Sequence, residues 1–347
     1  MTATHMTTDS NSGPLFVVGI WRSGTSLLYT LLNQHPQIAL LYEGELPVMR
    51  PLFYGGGAKS DWLERWEFWN QALTRHRIDA EVIPPGLDIR SATEVVCKQY
   101  AKRKGATVWG CKSPAYYDCL PQLAREFPSA KFIVIWRDPI AICSSIVRAA
   151  PGSHYFSRRG MALRALLGFE ELKRGCDQLA GEGAMLHQFH YEDLVRDPAA
   201  ELTKICEFLK IPFDARMLSL EDADRSAIYS ADHHALVNGK GIVNAGRRPE
   251  VLPAAIKGKI QRYICLWKNR SAGRWPIHPK QPDSGTRPPG VLERWSDKHA
   301  YFWLARYDSF VLLIYSFLPL WILSGYRAIR NWAAAENQME PTSQNLP

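Results

Sequence analysis

None of the seven cysteines (Cys97, Cys111, Cys119, Cys143, Cys176, Cys206 and Cys265) forms a C-x-x-C pair. An odd number without such spacing reads as reduced core residues. Met1 to Gly13 is polar and has no apolar h-region of the signal-peptide type, so the expectation is a catalytic part in a cytoplasm. A continuous basic stripe is also missing. The 347 residues carry 42 Lys and Arg against 34 Asp and Glu, a formal charge of +8. That excess suits an anionic ligand, an anionic membrane surface or nucleic acid, or serves solubility alone. Because the cations gather at the ends of strand-like runs, nucleic-acid binding ranks lowest. The length holds one large α/β domain or two ordinary ones, and the expectation is one catalytic domain with an appendage.

The chain is organised around Leu15 to Leu32, LFVVGIWRSGTSLLYTLL. A short β-compatible run ends on Gly19, a polar turn follows, and Leu27, Leu28, Leu31 and Leu32 recur at helical spacing. Strand, tight turn and helix start together direct backbone N–H groups and a helix dipole at one point, which suits a phosphate-like anion. Gly19 and Gly24 permit close approach, Ser23, Thr25 and Ser26 offer hydroxyls, and Arg22 offers a planar cation. The spacing almost reproduces a nucleotide-triphosphatase P-loop, but Thr25 stands where that loop requires Lys. An ATP or GTP site loses support accordingly. An accidental Gly/Ser/Thr turn is the plain alternative.

Further along, His35-Pro36 ends the helix and Ile38 to Leu41 reads as a second buried strand that delivers Tyr42-Glu43-Gly44-Glu45. Glu43 is the candidate general base, while Glu45, before Leu46-Pro47, could equally cap the next helix. Ser60 to Arg77 carries Trp62, Trp66, Trp69 and Leu73 at helical steps, with Asp61 and Glu64 in capping-box relation. It predicts one amphipathic helix whose aromatic stripe is core, with an acceptor cleft as the alternative. Ala106 to Cys111 predicts a strand that places Lys112-Ser113-Pro114 at its carboxyl end, where ligands gather in open α/β sheets. Lys131 to Trp136, KFIVIW, predicts another, followed by Arg137-Asp138-Pro139 and a helix with Ser144 and Ser145. Met161 to Leu179 predicts a long helix, and Met185 to His190 a strand ending on Tyr191-Glu192-Asp193-Leu194. Asp197-Pro198 predicts a helix start. The alternation predicts a parallel sheet covered on both faces.

Three strand-end motifs together resemble the sulfotransferases that use 3′-phosphoadenosine-5′-phosphosulfate (PAPS), in particular the bacterial and Golgi-type branch with the tyrosylprotein and carbohydrate enzymes. The resemblance runs from about Pro14 to Lys210, with a weaker extension to Arg248. Arg22-Ser23-Gly24-Thr25-Ser26-Leu27 resembles the family's 5′-phosphosulfate loop. Arg137-Asp138-Pro139 with Ser145, eight residues after Arg137, resembles its 3′-phosphate site. Lys112 matches the Lys of the strand preceding that site, Glu43 matches the catalytic Glu of the tyrosylprotein branch in its distance from Arg22, and Tyr191 resembles a recurrent nucleotide contact. The resemblance implies an α/β, P-loop-like three-layer sandwich with a central parallel sheet. It also implies a sulfuryl transfer from PAPS to a hydroxyl, without metal, in which Glu43 takes the acceptor proton and Arg22 and Lys112 stabilise developing charge. His233 to Arg248 is expected to close over the ligand, with Lys240, Arg247 or Arg248 as donors, or to be a surface loop. The competing readings are a P-loop nucleotide kinase or NTPase, for which only Asp138 could serve as the Mg²⁺-binding acid, and a non-catalytic membrane-associated nucleotide-binding module.

Ser309 to Tyr326, SFVLLIYSFLPLWILSGY, has no charge and is 18 residues long. That length lies at the lower limit for a membrane span, and Tyr307, Trp321, Tyr326 and Trp332 suit an interface belt. The expectation is membrane attachment, spanning or re-entrant, at the cytoplasmic face, helped by the basic excess, with a buried core helix as the alternative. The expected divisions are a sulfotransferase domain over 14–270, a Pro/Gly-rich linker or excursion over 271–290, a hydrophobic membrane-associated segment over 291–333, and a disordered tail over 334–347. A lipid-linked, glycolipid or carbohydrate hydroxyl is the expected acceptor.

Overall fold

The computed structural model describes residues 13–153, 155–221, 223–228, 251–271, 285–326 and 328. In chain order the elements are β1 (Leu15–Val18), α1 (Thr25–Asn33), β2 (Ile38–Tyr42), α2 (Trp62–Asn70), α3 (Ala72–His76), α4 (Ile89–Lys104), β3 (Val108–Lys112), α5 (Leu120–Glu126), β4 (Lys131–Trp136), α6 (Pro139–Ala149), α7 (Met161–Gly181), β5 (Met185–His190), α8 (Tyr191–Arg196), α9 (Pro198–Leu209), α10 (Ala254–Ser271) and α11 (Val291–Phe317). The five strands form one sheet in the order β2-β3-β1-β4-β5, and every pairing is parallel. Parallel strands need crossovers, and helices supply them on both faces.

Alternation along each strand divides the core in two. Phe16, Val18, Leu41, Cys111, Phe132, Val134 and Trp136 point to the layer that contains α4, α5 and α7. Leu15, Val17, Ile38, Leu40, Ile133 and Ile135 point to the layer that contains α1 and α9. This is the three-layer sandwich. Val17 pairs with Lys112, Tyr42 with Lys112, and Trp136 with His190, so the carboxyl ends of the strands open on one edge. β1 sits where the strand order reverses, the place at which such sheets bind ligands.

Two local expectations are corrected. Ser60 to Arg77 is not one helix, because Gln71 adopts a left-handed conformation (φ 51°) between α2 and α3. The break is held by side chains: Glu67 accepts from the backbone N–H groups of Leu73 (2.8 Å) and Thr74 (2.9 Å), and Asn70 Oδ1 from that of Ala72 (3.0 Å). The capping box is absent as well, since Asp61 pairs with Arg65 at 2.6 Å and makes no side-chain cap. Trp62 and Trp66 are fully buried and Leu73 is buried, so most of the stripe is core, while Trp69 is half-buried and borders a small apolar crevice against α11.

The uncharged C-terminal run is divided. α11 ends at Phe317, and a short helix Leu320–Tyr326 follows across a bend of 120°, which Pro319 enforces by pushing Leu318 to an extended conformation (ψ 140°). Among the described residues no single helix is long and apolar enough to cross a membrane. One face of α11 is packed on the sandwich. Tyr301 Oη donates to Tyr117 Oη (3.1 Å), Asp308 bridges Arg158 (2.8 Å) and Arg164 (2.6 Å), and Lys59 and Arg65 donate to the carbonyls of Ser316 and Tyr315 (2.8 and 2.9 Å).

Candidate active site

The β1–α1 turn is a cradle set by its glycines. Gly24 has φ 106°, and a Cβ there would lie 2.4 Å from the Tyr191 ring; a Cβ on Gly19 would lie 2.4 Å from Ser23 Oγ. Only glycine fits either position. α1 begins without a side-chain cap and without an acidic residue in its first turn, so its first N–H groups and positive dipole end face the cradle. Ser23 is buried, and its Oγ has no hydrogen-bond partner among the described residues. A buried hydroxyl without a partner is costly, and an anion seated in the turn would satisfy it.

Arg137, at the carboxyl end of β4, is buried. Its guanidinium lies 4.2 Å from the centre of the Tyr191 ring, and its Nη1 donates to the Arg22 carbonyl (2.8 Å). Burial pulls its pKa below the usual arginine value, against the opposing pull of Tyr191 and Glu192. Its Nε, like Ser23 Oγ, has no hydrogen-bond partner among the described residues. Asp138 caps α6 by accepting from Ile140 N (2.6 Å) and Ala141 N (3.1 Å), so the Arg-Asp-Pro sequence starts the helix and leaves the cation to the site. Two turns into α6, Ser145 Oγ accepts from Arg22 Nε (3.0 Å). Arg22 itself is left-handed (φ 69°), and its side chain ties the two anion-binding motifs together.

The second half of the site lies at the ends of β2 and β3. Lys112 is completely buried, and its Nζ donates to Glu43 Oε1 at 2.8 Å. Burial drives the Lys112 pKa down, and the Glu43 carboxylate opposes that shift. The ammonium also sits 3.8 Å from the centre of the Tyr42 ring, and Tyr42 Oη hydrogen-bonds Ser26 Oγ (3.0 Å). Tyr42 therefore joins the Glu43–Lys112 pair to the β1–α1 cradle. Glu43 and Glu45 are both left-handed (φ 50° and 51°), a conformation that costs energy in a non-glycine residue. The turn is held by Trp66 Nε1 and Asn70 Nδ2, both donating to the Gly44 carbonyl (2.7 and 2.6 Å), and by Glu43 N donating to the Lys112 carbonyl (2.7 Å).

Glu45 does not cap the following turn. Its Oε1 accepts from Ser113 Oγ (2.7 Å). Burial pushes its carboxyl up to about 7, and the neighbouring Glu43 carboxylate adds to the rise while Ser113 opposes it. The folded chain therefore holds a proton on Glu45 where the unfolded chain has lost it, and this contribution to stability declines as pH rises from the ordinary carboxylate range through 7. The stability of the wild type relative to Glu45→Gln should fall by on the order of 2 kcal/mol between pH 5 and pH 8. Thermal unfolding of both proteins at the two pH values checks this, and a constant difference would remove Glu45 as a proton-holding group.

The structure thus brings together Arg22, Ser23, Gly24, Thr25, Ser26, Arg137, Ser145 and Tyr191 around the cradle, and Glu43 with Lys112 beside it. Lys240, Arg247 and Arg248 lie outside the described residues. Sequence reasoning missed Tyr42, Asn70 and His76. His76 Nε2 accepts from Tyr42 N (2.8 Å), and burial lowers its pKa to about 3, so it stays neutral and serves as an acceptor. Asn70 carried one signal, a polar residue four positions after the buried Trp66. A crevice of about 640 Å³ between α7 and α11, lined by Asp118, Glu170, Arg174, Lys298, Tyr301 and Arg306 among others, contains none of the strand-end residues.

The sequence model of the Sulfotransferase family matches residues 14–215. Protein-tyrosine sulfotransferase A of Caenorhabditis elegans is 26% identical over 210 residues, 60% of this chain and 52% of that protein. Nodulation protein NoeE of Sinorhizobium fredii is 28% identical over 225 residues, 58% of this chain and 51% of that protein. The chain spans about half the length of both. Among solved structures, the sulfotransferase domain of the Synechococcus PCC 7002 olefin synthase has a TM-score of 0.50 at 24% identity, covering 72% of this chain and 93% of that domain, a likeness of fold.

Proposed function

This chain belongs to the sulfotransferase family, and from that premise we propose that it moves a sulfuryl group from PAPS to a hydroxyl acceptor, with Glu43 as general base. The observation that carries the reading is the pairing of two cationic anion cradles with one carboxylate–ammonium pair on a single sheet edge. The β1–α1 turn suits the 5′-phosphosulfate, since its orphaned Ser23 hydroxyl and uncapped helix start offer donors without a P-loop lysine. Arg137 and Ser145 suit the 3′-phosphate, and Tyr191 offers a ring between them and Gly24.

In the step, the acceptor oxygen attacks sulfur and forms a new S–O bond. Its proton passes to Glu43, and the S–O bond to the 5′-phosphate breaks, so that adenosine 3′,5′-bisphosphate leaves with the electron pair. Lys112 and the cradle N–H groups meet negative charge on the sulfuryl and bridging oxygens as it develops, inside a buried setting where such donors act strongly. For the acceptor we carry forward a lipid-linked or glycolipid hydroxyl. Its support is the apolar outer face of α11, a helix bonded to Lys59 and Arg65 on one side and, through Arg164, to Trp21 beside the cradle.

Calorimetric titration with adenosine 3′,5′-bisphosphate, beside ATP with Mg²⁺, tests the donor assignment. The bisphosphate should bind without regard to Mg²⁺, and Arg137→Ala should weaken it about a hundredfold through the loss of charge-assisted hydrogen bonds. Binding of ATP with Mg²⁺ alone would return the chain to the kinase class.

A further inference from the structure

α11 carries an apolar face that stays exposed among the described residues. Leu292, Trp295, Trp303, Phe310, Ile314 and Phe317 recur at steps of three, four, seven and eight, so they lie along one side of the helix. Leu292 is 83% exposed and Trp295 69%, and the 26 residues from Leu292 to Phe317 extend over about 38 Å. Past the bend the exposure continues at Trp321. A patch of this extent on a folded chain marks an interaction surface. It lies beyond residue 215, where the family match ends.

The charges on the helix are sorted by side. All three of its carboxylates are turned inward and bonded: Glu293 to Arg262 (2.5 Å), Asp297 to Lys259 (2.5 Å) and Tyr263 (3.1 Å), and Asp308 to Arg158 and Arg164 (2.8 and 2.6 Å). The outer side retains only cations. Arg306 is exposed and stacks over Phe302 (4.3 Å), and on the flank that borders the α7–α11 crevice the Lys298 side chain, 62% exposed, pairs with Glu170 at 3.8 Å. The outward surface is therefore aromatic and positive, with no carboxylate.

We propose that this outer face of α11 docks on an anionic lipid surface, lying along it and not crossing it. Large aromatic side chains between arginine and lysine are the composition of helices that rest in the headgroup region. A straight span does not fit, since no single described helix is long and apolar enough to cross and the inward face of α11 is bonded to the protein. A second copy of the chain fits less well, since two such faces would bring like charges together with no carboxylate on either to pair them. The inference does not depend on the donor assignment, which bisphosphate binding reads separately.

The test is flotation of the full chain with vesicles of phosphatidylcholine alone and of phosphatidylcholine mixed with phosphatidylglycerol. Wild type should float with the anionic vesicles about tenfold or more better than with the neutral ones, and less as salt is raised. The double variant Trp303→Glu/Phe310→Glu should lose vesicle binding by about tenfold or more while binding adenosine 3′,5′-bisphosphate as wild type does. Arg306→Glu, which places a carboxylate on the face, should lower binding to the anionic vesicles alone. Failure of wild type to float, or equal flotation with both vesicle types, overturns the proposal. So does a wild-type dimer that the double variant converts to monomer without any lipid binding, which would assign the face to a second copy.

Discussion

Glu43→Gln should lower the rate of sulfuryl transfer by about 10²- to 10⁴-fold, the range supplied by a positioned general base. The substitution is close to isosteric. Its carbonyl oxygen can still accept the hydrogen bond that Lys112 Nζ now gives to Glu43 Oε1, so the turn and the buried ammonium should stay in place. What it removes is the ability to take a proton from the acceptor hydroxyl. Adenosine 3′,5′-bisphosphate should bind with unchanged affinity, because the residues suited to its phosphates are Arg137, Ser145 and the β1–α1 cradle. Transfer measured from labelled PAPS in single turnover, beside calorimetry of the bisphosphate, separates the two readouts. A variant that retained wild-type transfer would move the base elsewhere, with Glu45, bonded to Ser113 two positions away, next to be tested. A chain that binds the bisphosphate and transfers nothing, in wild type and variant alike, would support a binding module in place of an enzyme.

Most of the sheet was legible because a parallel strand buried on both faces must be apolar at every position. Lys131 to Trp136 matched to the residue; the edge strand Met185 to His190 also matched, although it is half-exposed and carries His187, Gln188 and His190, and Asp197-Pro198 started its helix as a capped proline does. The cradle was legible for a similar reason: the backbone conformation at Gly24 tolerates only glycine, so physics writes it into the sequence. The local geometry between β2 and α3 was not legible. The turn at Glu43 to Glu45 depends on Trp66 and Asn70 of α2 and on His76 of α3, beyond the break at Gln71, and long-range hydrogen bonds leave no periodicity. Helical spacing continued through that break, so one helix was expected where two form. In the C-terminal segment the apolar run was visible but the inward pairing of Glu293, Asp297 and Asp308 was not, since their partners lie in distant parts of the sequence.

Lys112→Met should cut sulfuryl transfer by about 10²- to 10³-fold, as loss of one preorganised donor to a developing oxyanion does. Methionine fills the space of the lysine stem in a fully buried site and leaves no unpaired charge of its own. Glu43 loses its partner, but its side chain is 21% exposed, so water can replace the ammonium and the fold should survive. Bisphosphate affinity should change little, because that ligand lacks the sulfuryl group at which the ammonium acts. The two substitutions should also fail to multiply. Glu43 and Lys112 are in contact at 2.8 Å, and each variant disables the same arrangement, so Glu43→Gln/Lys112→Met should be far less impaired than the product of the single losses. Transfer rates of the four proteins in this cycle decide it. A multiplicative double variant would mean that base and cation act in separate steps. Loss of bisphosphate binding in Lys112→Met as severe as its loss of transfer would place the ammonium on the bound nucleotide, away from the reacting sulfur.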